Sequence, residues 1–159
     1  MDEMKIFELA NENGIHPIFN HVGMLVRDIE SAIRAFDFVP GIKQWNIIDI
    51  KADAFEMLYS EPFNIKVGKN EMFGIGLEII QPYDSPDSYM ESYLNCHGEG
   101  LHHFAFDFDD HKEHLLLVDL MLEEGFTVVY SAINKGNVIH YIESPDGGIV
   151  FELKSRMKQ

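Results

Sequence analysis

Two histidines and two glutamates in this sequence are spaced so that they could bind one metal ion together. His21 and His103 lie in two similar segments, NHVG and HHFA, and Glu78 and Glu152 lie in a second similar pair, GIGLEI and GIVFEL. Imidazole nitrogens and carboxylate oxygens are suitable ligands for Co²⁺, Ni²⁺, Mn²⁺, Fe²⁺ and Zn²⁺. Four protein ligands leave part of an octahedral shell free for water or a substrate, so this set favours a catalytic metal site.

The pattern around His103 predicts a β-strand that turns this side chain away from a hydrophobic core. Phenylalanine occupies every second position from residue 104 to residue 108, and such alternation is typical of a strand with one buried face. His103 and Ala105 then point to the opposite face. The earlier segment has His21 and Gly23 at the corresponding positions. This repeat predicts a duplicated fold in which the two histidines occupy equivalent places.

The orientation of the two glutamates decides whether they belong to such a site. Glu78 and Glu152 each lie between two apolar residues in a strand-like segment. An inward carboxylate is costly unless it is paired or ligated, so an inward orientation of both would favour a metal site. Strand alternation equally allows both side chains to be solvated on the outer face. The spacing of the residues alone leaves these two interpretations open.

Each half of the chain has the same predicted order of elements. Helices are predicted for residues 29–38 and 111–124, and Asp28 and either Asp109 or Asp110 are the predicted N-caps. The predicted strands are residues 19–26, 45–50, 63–68 and 73–80 in the first half, and 101–108, 126–130, 137–142 and 149–153 in the second. The order β-α-β-β-β in each half favours the α+β class, with helices on the outer side of largely antiparallel sheets.

The segments outside these elements are less regular. Lys69 and Asn70 are predicted to lie near a turn, and residues 51–62 match no element. Short helices are predicted for residues 4–10 and 88–94. The length favours one domain, residues 1–159, with an N-terminal extension at 1–17, a first module at 18–82 and a second module at 98–154.

Composition and charge argue against several classes of function. The formal net charge is −15, which disfavours nucleic acid and anionic membranes as partners because both require basic surfaces. No apolar run approaches the roughly 20 residues that span a bilayer, and the first residues lack the apolar region of a signal peptide. Cys96 is the only cysteine, so an internal disulfide is excluded and a cytoplasmic location is predicted.

The four segments NHVG, GLEIIQP, GEGLHHFA and GGIVFEL resemble the vicinal oxygen chelate superfamily, which includes glyoxalases, bleomycin resistance proteins and dioxygenases. Within it they are most similar to the methylmalonyl-CoA epimerases and their glyoxalase-like relatives. The resemblance implies two paired βαβββ modules that form a curved, partly open barrel-like sheet around a metal cleft. It also implies one divalent metal ion per subunit (Co, Ni, Mn, Zn or Fe) and a homodimer. The implied metal ligands are His21, Glu78, His103 and Glu152, and His102 is out of register with them.

Individual branches of the superfamily differ at these positions. Antibiotic-sequestering members are binding proteins and generally lack this ligand set. Extradiol dioxygenases and thiol transferases lack a metal-binding side chain at the position of Glu78. Bacterial glyoxalase I has a glutathione-contacting arginine four residues after the first histidine, where this chain has Leu25. Glu78 and Leu25 therefore favour the epimerase-like branch.

The chain departs from the epimerases at one position. They place a second catalytic glutamate on an inner strand of the first module, whereas the predicted strands at residues 45–50 and 63–68 contain no glutamate. Glu56, Glu61 and Glu71 are near these strands in the sequence, but none occupies the expected place. This departure puts a two-base epimerisation in doubt and leaves room for another substrate.

The resemblance implies a metal-dependent isomerase or epimerase that transfers a proton at the carbon next to a carbonyl, with Glu152 as the catalytic base. The implied substrate is a small molecule, an acyl-CoA or another thiol conjugate. Two alternatives are a glyoxalase I-like (lactoylglutathione) lyase acting on a hemithioacetal and a non-catalytic small-molecule-binding protein of the same fold. Lys66 and Lys69 could contact an anionic substrate, but a solvated face is the expected position for both. Surface or loop positions are expected for His16, His97, His111, His114 and His140.

Overall fold

The computed structural model describes residues 5–157, which form nine strands in one curled sheet and four α-helices. The strands are β1 (Ile18–Leu25), β2 (Asn46–Ile50), β3 (Glu56–Tyr59), β4 (Asn64–Met72), β5 (Ile75–Tyr83), β6 (Gly100–Phe108), β7 (Thr127–Asn134), β8 (Asn137–Glu143) and β9 (Val150–Arg156). The helices are α1 (Lys5–Glu12), α2 (Ile29–Phe36), α3 (Tyr89–His97) and α4 (His111–Glu123). The strand order across the sheet is β2-β4-β5-β1-β6-β9-β8-β7-β3.

Apart from the additional strand β3 in the first half, the two halves of the chain have the same order of elements, and they meet at the centre of the sheet. β1 lies parallel to β5, β6 lies parallel to β9, and β1 and β6 pair with each other in antiparallel orientation. A helix follows each of the two central strands, α2 after β1 and α4 after β6. The α+β class and the pair of βαβββ modules expected from the sequence are therefore confirmed.

The segment at residues 51–62, for which the sequence predicts no element, connects the two edges of the sheet. β2 forms one edge, and β3 pairs with β7 at the opposite edge. Residues 51–55 alone separate β2 from β3, and the chain from Ile50 to Glu56 can span at most about 20 Å. The two edges therefore approach each other, and the sheet curls around an inner cavity.

The turn predicted near Lys69 and Asn70 is wrong, because β4 continues through both residues to Met72. The turn lies at Phe73 and Gly74, where both residues have positive φ angles of 51° and 79°. Two central residues with positive φ form the type I′ turn that suits the twist of a two-residue hairpin. Lys69 interrupts the apolar pattern of β4 because it lines the cavity, and Asn70 interrupts it because its side chain donates to the backbone carbonyl of Lys43; neither residue ends the strand.

α2 and α4 cover the outer face of the sheet, whereas α3 contributes Met90 to the lining of the inner cavity. The side chain of Asp28 accepts hydrogen bonds from two backbone N–H groups in the first turn of α2, and the side chain of Asp110 accepts one from the backbone N–H of Lys112 in α4. α2 packs through Ile29 on Ile79 of β5, and α4 packs through Val118 on the second half of the sheet. None of the helices within residues 5–157 is both long and apolar enough to cross a membrane.

The two short helices extend further than the sequence predicts. The helix expected at residues 88–94 runs from Tyr89 to His97 and is capped by Ser88, whose hydroxyl accepts from the backbone N–H of Glu91. The helix expected at residues 4–10 runs from Lys5 to Glu12, and Met4 lies outside the described residues. Ile15, just after α1, is buried with α4 in the outer core of the second half.

Candidate metal centre

Strand register places the four candidate ligands in two adjacent rows on the inner face of the sheet. In the first row Glu78 pairs with Gly23, and Gly23 pairs with His103 across the next strand boundary. In the second row Glu152 pairs with Ala105, and Ala105 pairs with His21. Each row takes its glutamate from one module and its histidine from the other. The duplication in the sequence therefore becomes an approximate two-fold symmetry around the site.

The four side chains are buried and their ligand atoms converge. Their ligand atoms all lie within 4.8 Å of one another. The two Nε2 atoms of His21 and His103 are 3.2 Å apart, and Glu152 Oε2 is 3.3 Å from the first and 3.2 Å from the second. Glu78 Oε1 is 3.6 Å from His21 Nε2. Exposed fractions of 8% for Glu78 and 5% for Glu152 place both glutamates on the inner face and not on the solvated outer face.

These distances fit a single metal ion. Ligands bonded at about 2.1 Å lie about 3 Å apart when they are at right angles and about 4.2 Å apart when they are opposite. The observed separations of 3.2–3.6 Å fall between those two values. The donor set of two imidazole nitrogens and two carboxylates also suits a borderline divalent cation. His21, Glu78, His103 and Glu152 are therefore able to hold such an ion without a large rearrangement.

Each histidine has a hydrogen-bond partner that orients its other ring nitrogen. His21 Nδ1 lies 2.7 Å from the Oδ1 atom of Asn20, an oxygen that can only accept. His21 Nδ1 must therefore carry the proton, which leaves the lone pair on Nε2 inside the cluster. His103 Nδ1 lies 3.0 Å from His102 Nδ1, and His102 Nε2 lies 3.0 Å from the hydroxyl of Tyr89. Such outer partners fix the tautomer of a metal-binding histidine.

A β-bulge explains why His102 contacts His103 although the two residues are neighbours in a strand. Gly23 pairs with His103 and Met24 pairs with Leu101, so His102 has no partner residue on β1. A bulge of this kind disrupts the simple alternation of side chains between two faces. His102 is buried with Tyr89 and Tyr141 around it. It is not among the four converging ligands, and the sequence pattern contained no signal for its position behind His103.

The electrostatics of the cluster favour a cation between the carboxylates. Burial opposes the charge of His21, but the hydrogen bond to Glu152 and the charges of Glu78 and Glu152 outweigh it and raise the pKa of His21. Burial also opposes the charge of Glu152, yet hydrogen bonds to His103 and His21 hold the pKa of Glu152 well below its usual range. A metal ion and a proton on His21 would therefore compete for the same place.

A cavity of about 190 Å³ lies beside the cluster, inside the curled sheet. Glu78 and Glu152 form part of its wall, and two cations, Lys69 and Lys154, line it as well. Lys69 has a 56% exposed side chain, as expected, but its Nζ atom also lies 3.3 Å from Glu78 Oε2. Tyr141 donates a hydrogen bond of 3.2 Å to Glu152 Oε2. The sequence analysis did not identify Lys154 or Tyr141, because neither lies in a repeated segment.

A second catalytic glutamate is absent from the described part of this cavity. Glu78 and Glu152 are the only carboxylates among the residues between 5 and 157 that line it. Glu56, Glu61 and Glu71 are all exposed and do not line it. The departure from the epimerase pattern seen in the sequence is therefore present in the structure.

The sequence of this chain matches the profile of a known protein family. Residues 20–142 match the sequence profile of the Glyoxalase/Bleomycin resistance protein/Dioxygenase superfamily. The chain belongs to this superfamily. The match covers the first module and most of the second and confirms the resemblance, and the last of the four sequence segments, residues 147–153, lies beyond the matched residues. No curated protein matches the chain.

Solved structures with the same superfamily fold are similar over nearly the whole chain. The hypothetical protein BH1468 from Bacillus halodurans has a TM-score of 0.61 and 18% identity, covering 90% of this chain and 96% of that one. Methylmalonyl-CoA epimerase from Mycobacterium tuberculosis has a TM-score of 0.55 and 17% identity, covering 88% of each chain. The Streptomyces coelicolor epimerase in complex with 2-nitronate-propionyl-CoA has a TM-score of 0.55 and 20% identity, covering 89% of this chain and 98% of that one. At these identities the similarity shows the fold alone.

The other histidines do not all lie where the sequence predicts. His16 and His97 are exposed, as expected. His114 is fully buried, and His140 is partly buried with its Nδ1 atom 3.0 Å from His114 Nε2. His114 Nδ1 lies 2.6 Å from the hydroxyl of Ser155, which also lies 2.8 Å from His111 Nδ1. The expectation of a surface position is wrong for His114, because α4 turns it towards β8 and β9.

Proposed function

We propose that the protein is a metal-dependent isomerase or epimerase that moves a proton at the carbon next to a carbonyl group. The observation that carries this proposal is the convergence of two imidazoles and two carboxylates on the wall of a cavity. The similarity to epimerase structures, one of them in complex with methylmalonyl-CoA, supports a small acyl-CoA or related thiol conjugate as the substrate.

His21, Glu78, His103 and Glu152 would hold one divalent ion, of Co, Ni, Mn, Zn or Fe. When bound, such an ion supplies Lewis-acid stabilisation of the negative charge that develops on a carbonyl oxygen as the neighbouring carbon loses its proton. The two histidines are held in place by Asn20 and His102. Burial of all four ligands excludes bulk water from the cluster.

Glu152 is the proposed base. Its Oε2 atom contacts both histidines and the hydroxyl of Tyr141, and these hydrogen bonds keep the carboxylate ionised and in one orientation. A base must be ionised to accept a proton and must lie within hydrogen-bond reach of the acidic carbon. Glu152 lines the cavity, so a substrate bound there would meet this oxygen. Glu78 also lines the cavity, and its ion pair with Lys69 favours a role as a metal ligand and not as a second base.

Deuterium incorporation tests this proposal. The metal-loaded protein is incubated in heavy water with methylmalonyl-CoA and with other 2-substituted acyl-CoA thioesters. We expect metal-dependent exchange at the α-carbon, and we expect Glu152→Gln to abolish it because the amide cannot accept the proton. Glu71→Gln, at an exposed position of β4, is the matched control and should exchange like the wild type. Equal exchange by Glu152→Gln and the wild type would reject Glu152 as the base.

A glyoxalase-type lyase is the second candidate, and it is favoured because Glu152 is the only base proposed on the cavity wall, Glu78 being proposed as a metal ligand. Epimerisation by two bases needs a second acid or base on the opposite face of the carbon, whereas an isomerisation that returns the proton from one side does not. A hemithioacetal is tested as a substrate in the same heavy-water assay. The product that the protein forms from it distinguishes the lyase from the epimerase. Binding of both substrate types without exchange would instead support the non-catalytic binding protein.

We also propose a homodimer in the cytoplasm, as the family resemblance and the single cysteine suggest. Sedimentation of the purified protein at low concentration tests the oligomeric state. A single species of 18.3 kDa, the mass of one chain, would contradict the dimer.

A further inference from the structure

The hydroxyl of Tyr130 is a buried polar group without a partner in the part of the chain that the structure describes. Tyr130 is 1% exposed, and its Oη atom has no hydrogen-bond partner among the described residues. A buried hydroxyl that loses its hydrogen bonds to water without gaining others destabilises a fold. Phenylalanine would fill the same space without this cost, so the hydroxyl has no evident role in the stability of the protein itself.

Strand register places Tyr130 on the same inner row as the candidate base. Tyr130 of β7 pairs with Tyr141 of β8, and Tyr141 pairs with Glu152 of β9. Paired residues on neighbouring strands point to the same face, so the three side chains are all directed inwards. Tyr130 lines the cavity beside the metal cluster. Two strand spacings of about 4.8 Å separate its backbone from that of Glu152, a distance that a small bound molecule bridges.

The ring of Tyr130 is fixed, and its hydroxyl keeps its proton. The ring centroid lies 4.9 Å from that of Phe63 and 5.4 Å from that of Tyr141. Burial and the charge of Glu152 raise the pKa of Tyr130. The hydroxyl of Tyr141 already donates to Glu152, whereas that of Tyr130 is free to donate to another group. Lys69 pairs with Glu78 and Lys154 with Asp107, so a divalent ion held by the cluster would leave a net positive charge that favours an acceptor with negative charge.

We propose that the Tyr130 hydroxyl binds the substrate by donating a hydrogen bond to an oxygen atom, of a carboxylate or a carbonyl, beyond those that bind at the metal cluster. This inference rests on the proposed function for the location of the substrate. Tyr130 then favours ligands that have a further acceptor oxygen besides those bound at the metal cluster. A ligand with an apolar group at this place would leave the hydroxyl unpartnered and would bind less tightly.

The test compares Tyr130→Phe with Ser131→Ala. Ser131 is also buried, at 3% exposed, and its hydroxyl also has no partner within residues 5–157, but it does not line the cavity. Each Co²⁺-loaded protein is titrated with malonate and with malonyl-CoA by calorimetry. We expect Tyr130→Phe to weaken binding of at least one of the two by about 5- to 10-fold, the value of one lost hydrogen bond, and Ser131→Ala to change it less than about twofold.

Metal content and thermal stability complete the test. We expect Tyr130→Phe to retain the Co²⁺ content of the wild type and, without metal, to melt at the same or a higher temperature, because no hydrogen bond within the protein is lost. Unchanged binding of both probes by Tyr130→Phe would overturn the inference, and so would the absence of binding to the wild type. A lower melting temperature or failure to fold would also overturn it, because the hydroxyl would then have a partner in the protein.

The two proposals fail separately in these experiments. If the wild type shows no deuterium exchange but Tyr130→Phe still weakens probe binding, the proposed reaction is rejected and Tyr130 remains a ligand-binding residue. If exchange depends on Glu152 but both proteins bind the probes equally, the proposed reaction stands and the role of Tyr130 is rejected.

Discussion

Gly23 and His103 face each other across the two central strands, and the imidazole of His103 fills the space that a side chain at residue 23 would occupy. An added Cβ atom at Gly23 would lie 1.9 Å from Cε1 and 2.2 Å from Nε2 of that ring. Gly23 has no positive φ angle, so the requirement for glycine is one of space and not of backbone conformation. The equivalent residue of the second module, Ala105, is buried opposite His21. The two halves of the site are therefore only approximately symmetrical.

Gly23→Ala should displace His103 and impair metal binding. We expect the affinity for Co²⁺ to fall at least about tenfold, because moving one ligand from its place breaks the geometry of the site. Gly148→Ala is the matched control, since an added Cβ atom there meets no atom within 4 Å. Titration of both variants with Co²⁺, followed by visible absorption, measures the difference. Wild-type affinity in Gly23→Ala would show that His103 is not a ligand.

Purified protein should contain one divalent metal ion per chain. Elemental analysis of protein prepared without chelators measures the stoichiometry. His103→Ala should reduce it to near zero because it removes one of four converging ligands. His16→Ala, which removes an exposed histidine, should leave it unchanged. Full metal content in His103→Ala is the result that contradicts the site.

His102→Phe should weaken metal binding although His102 is not a proposed ligand. The substitution keeps an aromatic ring among Tyr89 and Tyr141 but removes the hydrogen bond to His103 Nδ1. Loss of an outer partner of this kind typically costs about 10- to 100-fold in metal affinity. Tyr89→Phe removes only the more distant hydroxyl and should have a smaller effect. Equal metal affinity in His102→Phe and the wild type would assign His102 to packing alone.

The buried His114 should make the protein sensitive to acid. Burial, together with the charges of His140 and His111, lowers the pKa of His114 from 6.5 to about 3. The unfolded chain therefore binds a proton below pH 6.5 that the folded protein does not bind until about pH 3. The resulting stability is present above pH 6.5 and is lost as the pH falls from 6.5 towards 3. The loss from one such group approaches about 1.4 kcal/mol per pH unit.

Urea unfolding of the metal-free protein at several pH values between 6.5 and 4 measures this effect. We expect the free energy of unfolding to fall less steeply with pH in His114→Gln than in the wild type, because glutamine does not titrate. His16→Gln, at an exposed histidine, should follow the wild type. Parallel curves for His114→Gln and the wild type would show that His114 does not cause the acid sensitivity.

The sequence alone determined the duplicated architecture and the identity of the four converging residues. Residues that alternate with a period of two identify a strand. Similar residues at a constant offset identify the two equivalent halves of the chain. Both are local patterns that a single sequence contains. His21 and His103 were identified by their place in such a pattern, and Glu78 and Glu152 by their place in the closing strands. The direction in which the glutamates point, however, was left open.

Only the tertiary structure decided the features that depend on contacts between distant segments. The inward direction of Glu78 and Glu152 follows from the curl of the sheet, which β3 completes by pairing with β7. The place of His102 behind His103 depends on a bulge opposite β1, and such a shift in register leaves no mark in the alternation of one strand. Tyr130 reaches the cavity, and His114 the interior, through pairings and helix packing that join residues far apart in the chain. A local sequence pattern indicates which face of a strand a residue occupies. Which residues it contacts there depends on the tertiary fold.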